Sequence, residues 1–305
     1  VGSEMCIRDR YVFFFRKIFE DKLLDVLDDD FRVVIDTANG ATSKVAPKVF
    51  KALGINYEVI NNCPDGININ KDCGSTHIEN LAKYVVENHF NLGIAYDGDG
   101  DRCLCVDENG NILDGDIILA IVSNYLKKNN KLKKDTLVAT VMSNLGLKKY
   151  CKENEIDFVQ TSVGDRYVLE SMLENGYNLG GEQSGHIIFL DYNPTGDGIL
   201  TSLMLIEILL KSKKKASELA SIVTIYPQVL VNAKVSGDKK YKYLEDEVIK
   251  AKIEEIEKEF ADTGRVLIRP SGTEPLVRVM IEGENQDILD KRAHELANLI
   301  EKRLK

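Results

Sequence analysis

The 305-residue chain has no tryptophan, four histidines, six prolines and six cysteines. No two histidines stand four apart, so a zinc site is not expected. The cysteines (Cys6, Cys63, Cys73, Cys103, Cys105, Cys151) include no C-x-x-C pair, which predicts reduced thiols in a cytoplasmic protein. No apolar run reaches the ~18 residues that span a bilayer. The longest, Ile199 to Leu210, is broken by Thr201, Ser202 and Glu207. No secretory signal is present, and no membrane partner is expected. Positive charge is also short: 40 Lys and Arg against 49 Asp and Glu leave a net charge of −9. With no basic stripe, a nucleic-acid partner is not expected. The cluster Lys211, Lys213, Lys214 and Lys215 reads as a solvated helix end.

What remains is a soluble globular composition, 44% hydrophobic and 29% charged, which excludes a disordered chain. The length suits two or three domains. Residues 1–10 show neither helix nor strand period and are expected to be a non-native scar outside the fold. From Phe31 the pattern alternates. Val33-Val34-Ile35 reads as a buried strand, Ser43 to Leu53 as a helix ended by Gly54, and Tyr57 to Ile60 as the next strand. That order is the mark of a parallel sheet with crossover helices. Glu79 to Phe90 is a helix with Leu81, Val85 and His89 on one face. Strands follow at Leu92 to Tyr96 and Cys103 to Val106.

The grammar then restarts. Helices are expected at Asp116 to Leu126, Leu145 to Lys152 and Gly198 to Lys211. A further helix is capped by Asp165 and runs through Leu173, with Gly176 just after it. Strands are expected at Thr136 to Val141, Ile156 to Gln160 and His186 to Leu190. After Pro227 a smaller α+β unit follows. It has strands at Val229 to Val235, Val266 to Ile268 and Val277 to Ile281, and a closing helix from Ile288 to Leu304. Between them a long helix spans Tyr241 to Phe260, with Leu244, Val248, Ile249, Ile253, Ile256 and Phe260 inward.

Four loops carry chemistry. Asp97-Gly98-Asp99-Gly100-Asp101-Arg102 sets three carboxylates at alternating positions, where mutual repulsion calls for a cation. Oxygen ligands without His or Cys select Mg²⁺ or Ca²⁺. An exposed acidic turn is the plain alternative. An EF-hand fits less well, because Arg102 stands where its loop needs glycine and the flanks read as strands. Gly180-Gly181-Glu182-Gln183-Ser184-Gly185-His186 places polar side chains among glycines at a strand mouth, as hydroxyl recognition requires. Arg269-Pro270-Ser271-Gly272-Thr273-Glu274-Pro275, with Arg278, offers two guanidiniums, two hydroxyls and a bare glycine amide, a cradle for phosphate. It is not a Walker A loop. Thr161-Ser162-Val163-Gly164-Asp165-Arg166 puts an arginine near a helix start. Together they point to a phosphorylated sugar.

Asp97–Arg102, Gly181–His186 and Arg269–Thr273, in this order, resemble the α-D-phosphohexomutase superfamily. The match runs from about Tyr11 to the C-terminus. Gln183, Val163–Tyr167 and Thr140–Asn144 lean toward the branch acting on amino-sugar phosphates; the phosphomannomutase/phosphoglucomutase branch, which more often has Met at the place of Gln183, is the alternative. The resemblance implies two similar α/β domains with mixed sheets and a smaller α+β, TATA-binding-protein-like domain. The expected ranges are 11–113 for domain two, with the metal loop, 114–227 for domain three, with the sugar loop, and 228–305 for domain four, with the phosphate loop. It further implies Mg²⁺ on Asp97, Asp99 and Asp101, with Arg102 beside the transferred phosphoryl group. Glu182, Ser184 and His186 would bind the sugar, and Arg269, Ser271, Gly272, Thr273 and Arg278 the other phosphate. The implied intermediate is a hexosamine 1,6-bisphosphate, the implied partner a phosphorylated amino sugar, and a homodimer is compatible. The family's reacting serine belongs to a first domain, in a Ser/Thr-Ala-Ser-His-Asn-Pro loop that has no counterpart in these residues. The chain alone is therefore expected to be inactive, and a non-catalytic phosphosugar-binding role is the alternative for it.

Overall fold

The computed structural model describes residues 2–305 except 29, 262, 272 and 273. The chain divides into two compact units. The first takes residues up to 223 except 144–146, and the second takes 224–305 together with 144–146.

The first unit opens with α1 (Gly2–Leu24), β1 (Arg32–Asp36), α2 (Ala46–Ala52), β2 (Asn56–Ile60), α3 (Glu79–Glu87), β3 (Leu92–Tyr96), β4 (Cys103–Asp107) and β5 (Ile112–Leu113). Their sheet runs β2-β1-β3-β4-β5. β2, β1 and β3 are parallel, and β4 and β5 turn back antiparallel. The pattern repeats with α4 (Gly115–Lys128), β6 (Thr136–Thr140), α5 (Leu145–Glu153), β7 (Asp157–Thr161), α6 (Asp165–Asn175), β8 (Leu179–Gly181) and β9 (Ile187–Phe189). The second sheet, β7-β6-β8-β9, again has three parallel strands and an antiparallel edge. α7 (Gly198–Ser212) and α8 (Ala216–Ala220) complete the unit.

Val33, Val34 and Ile35 are fully buried, as a strand covered on both faces demands. α7 is buried from Gly198 to Leu210, which explains its continuous apolar run. No helix among the described residues is long and apolar enough to cross a membrane. Its one acid, Glu207, is answered by Lys211 at 2.6 Å, Tyr125 at 3.0 Å and Lys22 at 3.4 Å, because a buried charge needs partners.

Four expectations change. Residues 2–10, read as lacking a helical period, form the first part of α1, whose later residues Phe15, Phe19 and Leu23 pack into the core at every fourth position. His89 lies beyond the end of α3, exposed and with φ 56°. Asp165 is the first residue of α6 and Gly164 its cap. The helix expected from Tyr241 to Phe260 is split, as described next.

The second unit comprises β10 (Gln228–Lys234), α9 (Glu247–Glu259), β11 (Arg265–Pro270), β12 (Leu276–Glu282) and α10 (Gln286–Leu304). Its antiparallel sheet runs β10-β12-β11. A 3₁₀ turn at Lys242–Leu244 precedes α9. The break comes from Asp246, whose carboxylate accepts the Val248 and Ile249 N–H groups and starts a new helix. Arg303 holds that carboxylate from α10. Ile249, Ile256 and Phe260 are buried, whereas Leu244 and Val248 are exposed. Residues 144–146 join this unit through the Leu145 N–H, which donates to the buried Glu282 at 2.9 Å.

Candidate active site

β3 delivers Asp97 at the carboxyl end of the parallel strands, where open α/β sheets bind ligands. The chain turns and returns as β4. Asp97 is 8% exposed, and its Oδ1 accepts the Gly100 N–H at 3.0 Å and the Arg102 N–H at 3.2 Å. Those bonds close the loop, and Gly100 supplies the φ of +79° it needs. The turn after β1 braces it from the side: the Ala41 N–H donates to the Gly98 carbonyl at 2.8 Å. Burial, then the neighbouring Asp101 charge, pushes the Asp97 carboxyl above its ordinary range, against backbone bonds that favour the anion.

Asp101 lies 3.1 Å from Nδ1 of His186, and the Arg102 Nε is 3.9 Å from Asp97. Asp99 is exposed. The loop therefore brings two of its three carboxylates together instead of three. Among the described residues, no group of three His, Cys, Asp or Glu side chains is close enough to hold a metal. Arg102 and His186 lie against the two carboxylates that the loop brings together. The donor set, carboxylate oxygens alone within one short loop, fits a hard cation such as Mg²⁺.

The polar loop joins β8 to β9. The Gly185 N–H donates to the Glu182 carbonyl, and the Glu182 N–H to that of His186, both at 3.0 Å. Gly185 has φ +91°. This loop is pinned to the acidic one: the Cys103 N–H donates to the Gly185 carbonyl at 3.0 Å, and Arg102 and His186 form an antiparallel bridge. It is also pinned to α4. The Gly115 N–H donates to the Gln183 carbonyl at 3.0 Å, and the Gln183 amide to Asp114 at 3.2 Å. Asp114 caps α4, so Gln183 has a positional duty that methionine could not perform. Glu182 reaches the fourth loop by accepting the Gly164 N–H at 3.0 Å. Ser184 is exposed. Arg166, by contrast, is exposed and pairs with Glu170 at 2.7 Å.

His186, expected to bind the sugar, is 4% exposed. Both ring nitrogens are taken up within the protein, Nδ1 by Asp101 and Nε2 by the Gly196 N–H at 3.1 Å. Asp114 and Gly196 were missed from the sequence. The signal for Gly196 is the run Gly196-Asp197-Gly198: a Cβ at Gly196 would lie 2.5 Å from the His186 ring, and one at Gly198 would lie 2.6 Å from the Arg102 carbonyl.

In the second unit, Arg269 of β11 and Arg278 of β12 stand opposite each other in register. The Nε of each is buried, with no hydrogen-bond partner among the described residues. Burial, then the Arg278 charge, lowers the proton affinity of Arg269. Ser271 is 5% exposed; its N–H donates to the Leu276 carbonyl at 2.8 Å, and its Oγ accepts from the Glu274 N–H at 3.3 Å. Lys240, also missed, donates to the Ser271 carbonyl at 2.9 Å. Glu274 is an acid at this pair, 3.5 Å from Arg278. Gly272 and Thr273 lie outside the described residues.

The sequence matches family models described as phosphoglucomutase/phosphomannomutase alpha/beta/alpha domain II over residues 9–110, alpha/beta/alpha domain III over 114–226, and C-terminal domain over 230–299. The chain belongs to this family, within the α-D-phosphohexomutase superfamily. It is 59% identical to the phosphoglucosamine mutase of Acetivibrio thermocellus over 97% of its own length and 65% of that protein. It is 60% identical to the phosphoglucosamine mutase of Clostridium tetani over 90% of its own length and 61% of that protein. The chain thus spans 61–65% of the length of these curated relatives. Among solved structures, Aspergillus fumigatus N-acetylphosphoglucosamine mutase in complex with GlcNAc-6P and magnesium superposes with a TM-score of 0.78 at 19% identity, covering 96% of this chain and 66% of the other. N-acetylglucosamine-phosphate mutase in its product complex gives 0.77 at 22% identity, covering 95% and 65%. At these identities the likeness is one of fold.

Proposed function

We propose that this chain is the part of a phosphoglucosamine mutase that holds the cation, the sugar and the distal phosphate. The enzyme is then an isomerase that interconverts glucosamine 6-phosphate and glucosamine 1-phosphate through hexosamine 1,6-bisphosphate. The observation carrying this reading is the convergence of the acidic, polar and Gly164 loops through the Arg102–His186 bridge and the Glu182–Gly164 bond. The names of relatives about 60% identical support the amino sugar.

In this reading Asp97, Asp99 and Asp101 would hold Mg²⁺, which supplies charge neutralisation for a transferring phosphoryl group when bound. Arg102 adds fixed positive charge at the same loop. Glu182 and Ser184 hold sugar hydroxyls, with Glu182 oriented by Gly164. Arg269, Ser271, Gly272, Thr273 and Arg278 grip the phosphate that is not reacting. The reacting serine is placed outside these residues. The free thiols Cys63, Cys73, Cys103, Cys105 and Cys151 support a reducing, cytoplasmic setting.

Calorimetry on the 305-residue chain tests this. Glucosamine 6-phosphate is expected to bind and to undergo no turnover. No heat from millimolar ligand with folded protein overturns the retained site. Once a relative's N-terminal third is fused in front, glucosamine 6-phosphate is expected to be the preferred substrate. Equal or faster conversion of mannose 6-phosphate overturns the amino-sugar assignment.

A further inference from the structure

β8 and β9 pair over three residues, with the polar loop at one end of the ladder. The other end is closed by the Leu190 N–H, which donates to the Asn178 carbonyl at 3.0 Å. A cavity of about 290 Å³ opens there, at the lower edge of the ~300–1,000 Å³ usual for small-molecule sites. Its apolar lining is Leu126 of α4, Leu132, Phe189 of β9 and Met204 of α7, each at most 8% exposed. Tyr192 forms a more open wall, and Lys131, Lys133 and Asp191 stand at the rim.

A buried amide holds these walls in place. Asn178 accepts the Lys133 N–H at 2.9 Å, and its own amide donates to the Lys131 carbonyl at 2.9 Å and to Asp191 at 2.7 Å. The lysine segment is thereby tied to the chain leaving β9, and the cavity is set before a ligand arrives. Asp191, the acid among the lining residues, is already answered by Lys133 and Asn178. Lys131 is exposed and makes no ion pair among the described residues. Lys22, shared with Glu207, lies 3.4 Å from the Tyr192 hydroxyl. In a chain of net charge −9, this rim is locally cationic.

We propose that the cavity is a second ligand site, which takes a small aromatic anion. The ring lies on Phe189, Tyr192 and Met204, because ring edges and a thioether favour an aromatic body. The phosphate or carboxylate lies at Lys131 and Lys133, whose ammonium groups act as point charges. The site uses no residue of the acidic loop, the polar loop or the arginine cradle.

Methyl NMR of the methionine-labelled chain tests this. Met204 is one of five methionines, and its signal is assigned by loss in Met204→Leu. Phenyl phosphate is the probe, with inorganic phosphate and phenol as its two halves. Millimolar phenyl phosphate is expected to move the Met204 signal saturably, and each half to move it far less. Absence of a saturable shift overturns the site, and an equal response to either half overturns the ligand class. Lys131 meets Asn178 through its carbonyl only, so Lys131→Glu keeps the wall. It is expected to weaken phenyl phosphate roughly tenfold, the loss of one charge-assisted hydrogen bond. Unchanged affinity overturns the role of the rim. Arg269→Gln/Arg278→Gln is expected to leave the Met204 response as it was; loss of that response puts the probe in the arginine cradle and overturns a separate site.

Discussion

Gly185→Ala asks whether the acidic and polar loops are one construction. Two costs are read from the structure. Gly185 has φ +91°, a conformation that costs an L-residue about 1–2 kcal/mol. The added Cβ would also lie 2.4 Å from the Cys103 carbonyl oxygen. That oxygen belongs to the first residue of β4, fully buried and paired with Tyr96 across the ladder, so it cannot withdraw cheaply. Overpacking of this kind costs about 1–3 kcal/mol. The sum is roughly 2–5 kcal/mol, and for a unit of this size the melting midpoint falls ~4–20 °C. Gly66→Ala is the control: φ is +96°, and nothing lies within 4 Å of its Cβ position. It should lose only the conformational part, about 1–2 kcal/mol. The assay is urea unfolding followed by circular dichroism, with Mg²⁺ calorimetry on any Gly185→Ala protein that still folds. Equal losses in the two variants refute the claim that the loops are locked together by backbone contact.

Inorganic phosphate should stabilise the second unit through its paired guanidiniums. At a hundredfold excess over the dissociation constant the gain is about 2.7 kcal/mol, and Arg269→Met/Arg278→Met should abolish it in a thermal scan against chloride of matched ionic strength; an unchanged phosphate response refutes the cradle. Burial raises the Asp114 carboxyl above its ordinary 3.8, against bonds from Ile117 and Gln183. The folded state therefore holds the proton more tightly. The contribution of Asp114 is fully present below pH 3.8 and is lost as pH rises through the raised folded value. Asp114→Asn keeps an amide that can cap α4 but cannot titrate, so unfolding free energies measured at stepped pH should show the parent losing ground to the variant as pH rises over that window. A parent that gains ground refutes the sign.

The loops were legible because their chemistry leaves few alternatives. Acids, hydroxyls or arginines packed among glycines at strand ends have no common use as plain connections. The sheets were legible because Val33–Ile35, Leu92–Tyr96 and Thr136–Thr140 are continuous buried runs. α1 was not, although Phe15, Phe19 and Leu23 carry the right period. Phe13, 67% exposed, and Phe14 blur that stripe into an aromatic run without a face. The break before α9 was missed because Leu244 and Val248 match the helical period yet are exposed, while Asp246 decides the boundary by capping. Pairings between distant residues, such as Asp101 with His186 or Gln183 with Asp114, leave no periodic trace at all.

The same like-charge problem is met in opposite ways in the two units. Asp97 and Asp101 crowd together, but Arg102 and His186 travel with them on the loops they join, so the acidic site can fold before any cation arrives. Arg269 and Arg278 crowd together with two buried Nε donors that have no partner among the described residues, and Glu274 stands 3.5 Å from Arg278. A buried donor left without an acceptor costs about 1–3 kcal/mol. The arginine arrangement favours an anion, because an arriving phosphate satisfies such donors.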